Sequence, residues 1–133
     1  KSYVGDSSFL YGISGRKDMG RLYENAVLLE LKRRMQKNRE INYWKNKRGT
    51  EADFIIREGI SVKDIIQAVF ELKEEKTKNR EIKGLFESSK EFNIKNGLII
   101  TKDFEGVENF RGINIRYIPL WRWLLEKEWQ AQN

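Results

Sequence analysis

The 133 residues amount to one domain, long enough to bury about two-thirds of the surface its unfolded form would expose. There is no Cys and no His, which excludes disulfides, thiolate or imidazole metal sites and any Ser-His or Cys-His catalytic pair. A net charge of +6, with 35% charged and 39% hydrophobic residues, excludes a disordered tail and favours an anionic partner, nucleic acid being the usual one.

Any metal must therefore be held by oxygen, which means Mg²⁺, Mn²⁺ or Ca²⁺ chemistry. No stretch approaches the roughly 20 apolar residues of a membrane span, and the N-terminus lacks the apolar core of a signal peptide, so a cytoplasmic protein is expected. The chain opens on Lys1 and runs at once into strand-like Ser2-Tyr3-Val4. It reads as a piece of something longer.

Asp18 is placed as the N-cap of a helix from Met19 to Gln36, whose apolar positions Leu22, Ala26, Leu29 and Leu28, Leu31, Met35 nearly surround it. Such a helix is buried on most sides. Two strands follow, Ile41 to Lys45 and Ala52 to Arg57, joined by a hairpin in which Gly49 supplies a positive φ. A turn at Glu58-Gly59 leads to a third strand, Ile65 to Lys73. Thr77 is placed as the cap of a helix with Ile82, Leu85, Phe86, Ser89 and Phe92 on one stripe.

The apolar run Gly97 to Thr101 fits a strand buried on both faces. A strand from Ile113 to Ile118 and a helix from Leu120 to Trp129 complete the order β-α-β-β-β-α-β-β-α. A hairpin followed by a helical crossover into a buried strand implies an α/β fold, a mixed central sheet flanked by helices.

Three acids stand out against apolar surroundings. On the third strand, alternation puts Glu71 and Lys73 side by side on one face. Glu-x-Lys by itself is more often an ordinary salt bridge at a strand end. Asp53 sits in Ala52-Asp53-Phe54-Ile55-Ile56, where burial demands a cation or hydrogen-bond donors. Glu24 heads an apolar helical stripe of Val27, Leu28, Leu31 and Met35, although an acid in a first turn is also favoured by the helix dipole.

An acid on the first helix, an acid on the second strand of a hairpin and Glu-x-Lys on the next strand together resemble the PD-(D/E)XK nuclease superfamily, over roughly residues 20–101. The resemblance implies a restriction-endonuclease-like core with Glu24, Asp53, Glu71 and Lys73 as catalytic residues. Asp53, Glu71 and the backbone carbonyl of Leu72 would hold Mg²⁺ or Mn²⁺, Lys73 would orient the attacking water, and Glu24 would assist the metal site. Beside two carboxylates Lys73 stays protonated, which suits charge stabilisation better than general-base work. A cation held by oxygens lowers the pKa of its water and neutralises charge on phosphorus.

A second resemblance spans almost the whole chain. Lys1-x-Tyr3-Val4-x-Asp6, Gly20-Arg21-Leu22-Tyr23-Glu24-Asn25, Tyr43-Trp44, Glu51-Ala52-Asp53-Phe54, Arg80-Glu81-Ile82-Lys83 and Ile118-Pro119-Leu120-Trp121-Arg122-Trp123-Leu124 look like the uncharacterised domain on the C-terminal side of certain prokaryotic AAA-type ATPases. It implies that residues 1–133 form a single domain behind an upstream ATPase. The chain is not itself an ATPase, because Gly15-Arg16-Lys17-Asp18-Met19-Gly20 is followed by Arg21-Leu22 where a phosphate loop needs Lys and then Ser or Thr.

Arg33, Arg34, Lys45, Lys47 and Arg48 concentrate positive charge around the first helix end and the hairpin, as phosphate contacts or as a solvated charge run. Trp121, Trp123 and Trp129 make the last helix aromatic, for packing on its own core or on a neighbouring domain in preference to base stacking. Two functions stay open. One is a metal-dependent nuclease acting on DNA or branched nucleic acid, for which a homodimer is natural. The other is a catalytically silent module of the same fold that binds nucleic acid or protein and targets or regulates the ATPase.

Overall fold

The computed structural model describes residues 15–126; the expected opening strand, and Trp129, lie outside them. The described elements are α1 (Gly15–Arg34), β1 (Arg39–Lys45), β2 (Glu51–Glu58), β3 (Ser61–Ala68), α2 (Glu75–Phe92), β4 (Asn96–Thr101), β5 (Gly106–Phe110), β6 (Ile113–Pro119) and α3 (Leu120–Leu125). They form one mixed sheet in the order β1-β2-β3-β4-β6-β5.

Strands β1, β2 and β3 run as an antiparallel meander. Gly49 takes φ +87° in the first turn, and Gly59 takes φ +64° as the first of two residues in the second, a position where a side chain would strain the backbone. The chain then crosses through α2 to β4, which lies parallel to β3, and β6 is parallel to β4. Parallel pairing requires such a crossover.

Helices cover both faces of the sheet. One core packs Val27, Leu28 and Leu31 of α1 and Trp123 of α3 on Phe54, Ile56, Ile66, Leu98 and Ile100. The other packs Ile82 and Leu85 of α2 on Ile55, Ile65, Val69, Ile99 and Tyr117. Two-sided burial is why β2 and β4 read as continuous apolar runs.

Several sequence expectations shift. Helix α1 begins at Gly15, so Asp18 lies in its first turn and is not its cap. The helix buries a stripe on one side and leaves Leu29 51% exposed, so it is not enclosed on most sides. Likewise α2 begins at Glu75 with Glu74 as N-cap, putting Thr77 inside the first turn; its far end closes on Asn93 in the left-handed conformation.

Strand β5 was not anticipated. It pairs with β6 alone at the sheet edge, through a two-residue turn in which Arg111 (φ 49°) and Gly112 (φ 90°) both take positive φ. Such a turn favours Asn-Gly or Asp-Gly, so Arg-Gly gave a weak signal. The polar strand Gly106-Val-Glu-Asn-Phe110 also lacks a buried face.

Arg34 locks α1 to α3. Its side chain is 8% exposed and its Nε donates to Glu30 at 2.7 Å. Its Nη2 donates to the carbonyls of Trp123 at 2.8 Å and Glu126 at 3.1 Å, and the guanidinium lies 4.4 Å from the Trp123 ring centroid. The neighbouring Arg33 is solvated apart from Glu30. Arg34→Ala should lower unfolding free energy by roughly 2 to 3 kcal/mol through unpaired carbonyls and lost packing, and Arg33→Ala by less than about 0.5 kcal/mol. Urea denaturation checks the contrast.

Asp64, on β3 opposite Ile56, is 4% exposed and its Oδ1 has no hydrogen-bond partner among the described residues. Burial pushes its carboxyl up to about 7, partly offset by Arg39 and Lys63. Since the folded state holds this proton more tightly than the unfolded chain, the contribution is fully present below about pH 4 and is lost as pH rises towards 7. Asp64→Asn should therefore gain stability over the parent at pH 8 relative to pH 4. The difference between urea midpoints of the two proteins at each pH reads this directly.

Candidate functional site

The site is built on the end of the sheet where β1, β3, β4 and β6 finish and β2 begins. Asp53 is the third residue of β2. One position on from the Phe54–Ile66 pair, it meets Gln67 of β3. The Asp53 N–H donates to Gln67 Oε1 at 2.7 Å, and Asp53 Oδ2 accepts the N–H of Ala68 at 3.0 Å. The Gln67 amide in turn donates to the carbonyls of Glu51 at 3.1 Å and Glu81 at 3.2 Å.

Both side chains are buried. The buried acid thus finds its donor in the backbone of the next strand, as burial demands. Gln67 bridges the start of β2 to α2, and that contact is close. A Cβ on Gly84 would collide with the Glu51 carbonyl oxygen and the Gln67 amide, so a side chain there would push α2 off the sheet.

Glu71 and Lys73 do not lie on a strand. The expected third strand, Ile65 to Lys73, is displaced: β3 spans Ser61–Ala68. Val69 makes one more sheet contact, donating to the Ile100 carbonyl at 2.9 Å, and the chain then leaves for α2. Without the pleat, alternation no longer places Glu71 and Lys73 on one face.

Asp53, Glu71 and Lys73 line three separate recesses. Asp53 sits in one of about 420 Å³ with Arg48, Thr50, Lys76, Arg80 and Lys83. Glu71 sits in one of about 240 Å³ with Gly20, Val69, Thr77 and Arg80, so that Arg80 borders both. Lys73 sits in a third, of about 270 Å³, with Phe70, Leu72, Lys78, Lys102 and Phe104. Glu24 is half-buried on α1, one turn along from Gly20. Leu72 packs partly into the α2-side core.

These residues do not fit the Mg²⁺ or Mn²⁺ site implied by the resemblance. Among the described residues no three carboxylates come together as a metal would require. The residue facing Asp53 is a neutral amide, and one Asp53 oxygen is already engaged by Ala68. A hard cation needs several converging oxygens.

The basic run divides. Strand β1 begins at Arg39, paired with Glu58, and ends at Lys45, paired with Glu51. Arg33 and Arg34 close α1 near the first end, whereas Lys45, Lys47 and Arg48 lie at the other, about 20 Å along the strand. Arg34 is committed to the α1–α3 contact. Arg48 is paired with Glu87 at 2.9 Å, and Asn46 also donates to Glu87, which seats the β1–β2 turn on α2.

Sequence reading did not group with Lys45 and Lys47 the lysines that join them at this end, and it gave Lys73 a catalytic role instead. Lys73 and Lys76 flank the start of α2, Lys78 lies in its first turn and Lys102 follows β4. None of these six ammonium groups has a carboxylate within 4.0 Å among the described residues. They come from three stretches of sequence, at residues 45–47, 73–78 and 102, which only the fold brings to one end of the sheet. Gln67 did leave a signal, as a polar residue inside the run Ile65-Ile66-Gln67-Ala68-Val69.

The family model described as "Domain of unknown function (DUF4143)" matches residues 19–123. An uncharacterized protein of Methanocaldococcus jannaschii is 34% identical over 131 residues, an overlap covering 94% of this chain and 29% of the relative. The chain therefore spans under a third of the length of that relative. No solved structure matches this chain.

Gln67→Leu should destabilise the domain by roughly 2 to 4 kcal/mol, because the Asp53 N–H and two carbonyls lose their partner in the interior. Thermal melting measures it, with Lys73→Ala expected to melt within about a degree of the parent.

Proposed function

We propose, for a chain that belongs to the DUF4143 family, that this is a nuclease-like fold used to bind nucleic acid without cutting it. The reading of the fold as restriction-endonuclease-like draws support from the order α1-β1-β2-β3-α2-β4, an antiparallel meander that crosses through a helix into a parallel strand. Fold alone does not carry function.

The observation that carries the silent reading is the pairing of Asp53 with the Gln67 amide. In a metal-dependent nuclease of this kind the opposing position would supply a second oxyanion and the next residue on that face a cation. Here they are Gln67 and Val69, one bonded to backbone and the other in the core. The carboxylate of Asp53 acts as a brace between β2 and β3.

Binding is supported by the six lysines that have no carboxylate partner among the described residues, gathered at one end of the sheet from three separate segments. The N-terminus of α2 lies among them and adds its partial positive charge. Such a surface contacts phosphates and carries no sequence code. No helix among the described residues is long and apolar enough to cross a membrane, and a cytoplasmic location is part of the proposal. We read the domain as a targeting or regulatory module of an AAA-type ATPase, on the strength of the sequence resemblance and of the relative's greater length.

Calorimetric titration of Mn²⁺, followed by incubation with branched and single-stranded DNA at saturating metal, tests the proposal. The expected result is no site-specific heat and no cleavage, alongside DNA binding that weakens steeply with salt. Combined Lys45→Ala, Lys47→Ala and Lys76→Ala should reduce the salt slope by about three. Cleavage that requires metal and disappears in Asp53→Asn would overturn the silent reading; absence of salt-dependent DNA binding would overturn the binding one.

A further inference from the structure

The recess around Lys73 opens at the carboxyl ends of the parallel strands β3 and β4, between the connection to α2 and the turn at residues 101–104. In open α/β sheets that is where ligands are taken up. Its volume is about 270 Å³, near the small end of sites for single small molecules and too little for a duplex.

Its chemistry is two-sided. Phe70, Leu72 and Phe104 supply apolar surface, and Lys73, Lys78 and Lys102 rim it with three ammonium groups against the one carboxylate of Asp103. Phe104 is 46% exposed and stands edge-on to Tyr117, with centroids 5.1 Å apart. Phe70 stands edge-on to Tyr23 at 5.4 Å, and the Lys102 ammonium lies 5.0 Å from the Phe70 centroid. Both rings are held from the side.

The wall is also braced by hydrogen bonds. Thr101 Oγ1 donates to the Phe104 carbonyl at 2.6 Å and accepts the Phe104 N–H at 3.0 Å. The Tyr23 hydroxyl donates to the Thr101 carbonyl at 2.9 Å. Burial, with the Asp103 carboxylate adding to it, pushes this hydroxyl up to about 12, so it stays a donor. The aromatic part of the wall is thus braced before any ligand arrives.

We infer that this recess binds one nucleotide unit, its base against Phe104 and the apolar floor and its phosphate among Lys73, Lys78 and Lys102. A purely apolar ligand would leave the rim's excess of ammonium groups over the Asp103 carboxylate uncompensated. A bare anion would leave Phe104 and Leu72 in water. A flat ring carrying a phosphate satisfies both halves, which is how aromatic and basic groups combine on single-strand binding surfaces. A free nucleotide and one residue of a single strand share this chemistry. The choice of a nucleotide over other phosphorylated aromatics rests on the nucleic-acid reading above; the recess itself does not.

The test titrates the whole chain with adenosine monophosphate, with inorganic phosphate and with a short oligoadenylate, following backbone amide shifts at residues 101–104. Adenosine monophosphate should shift them and bind more tightly than phosphate. Phe104→Leu, at a half-exposed position, should weaken the nucleotide roughly tenfold while sparing phosphate. Lys73→Ala with Lys102→Ala should weaken both. An oligoadenylate that binds far more tightly than the monomer identifies a single strand as the source, and equal affinity per site identifies the free nucleotide.

Nucleotide binding no tighter than phosphate, or unchanged in Phe104→Leu, overturns the inference. Duplex DNA binding of the parent and of Phe104→Leu, measured beside it, separates the two claims. Loss of the nucleotide site with duplex binding intact removes this inference alone. Nucleotide binding with no duplex binding removes the broader proposal and leaves the pocket.

Discussion

The amide of Gln67 ties together three segments that the chain keeps well apart. From inside the protein it accepts the Asp53 N–H of β2 and donates to carbonyls of β2 and α2. The crossover from β3 to β4 must lay α2 flat on the sheet for the parallel pair to form, and α2 seats where Gly84 presents no side chain to β2. An amide is suited to this because it is donor and acceptor at once and carries no charge to desolvate. A carboxylate there could not donate to the two carbonyls.

That arrangement decides what the neighbouring acid can do. Asp53 is buried in an apolar strand and would ordinarily demand a counter-ion. Its donor instead comes from the backbone of Ala68, at the point where β3 is about to leave the sheet. The same departure carries Glu71 and Lys73 into the connection before α2. Asp53, Glu71 and Lys73, expected to converge, are thereby distributed over neighbouring recesses, one of which is lined by aromatic and basic groups.

Charge follows the topology as well. Every strand but β2 and β5 finishes at the same end of the sheet, so the residues just past β1, β3 and β4 come together there although the sequence scatters them. Arg34 shows the reverse. It belongs to a basic run in sequence, yet its guanidinium is enclosed between Glu30, two carbonyls and the Trp123 ring. Proximity in sequence grouped Lys45 with Lys47 but predicted neither the lysines that join them from β3–α2 and β4 nor the arginine that leaves the surface.

Sequence alone determined the α/β class, the meander with glycines at its turns, the amphipathic α2 and the two-sided burial of β4. These depend on local periodicity and on backbone conformations that only certain residues tolerate. It also marked Asp53 as an acid in an apolar run, and it expected the last helix to pack its tryptophans on its own core or on a neighbouring domain; Trp123 enters the core while Trp121 stays 60% exposed. Only the tertiary structure decided where β3 stops, because that depends on how far β4 extends alongside it. With that boundary it decided which residue faces Asp53, since a strand's register is set by its partners across the sheet and not by its own alternation.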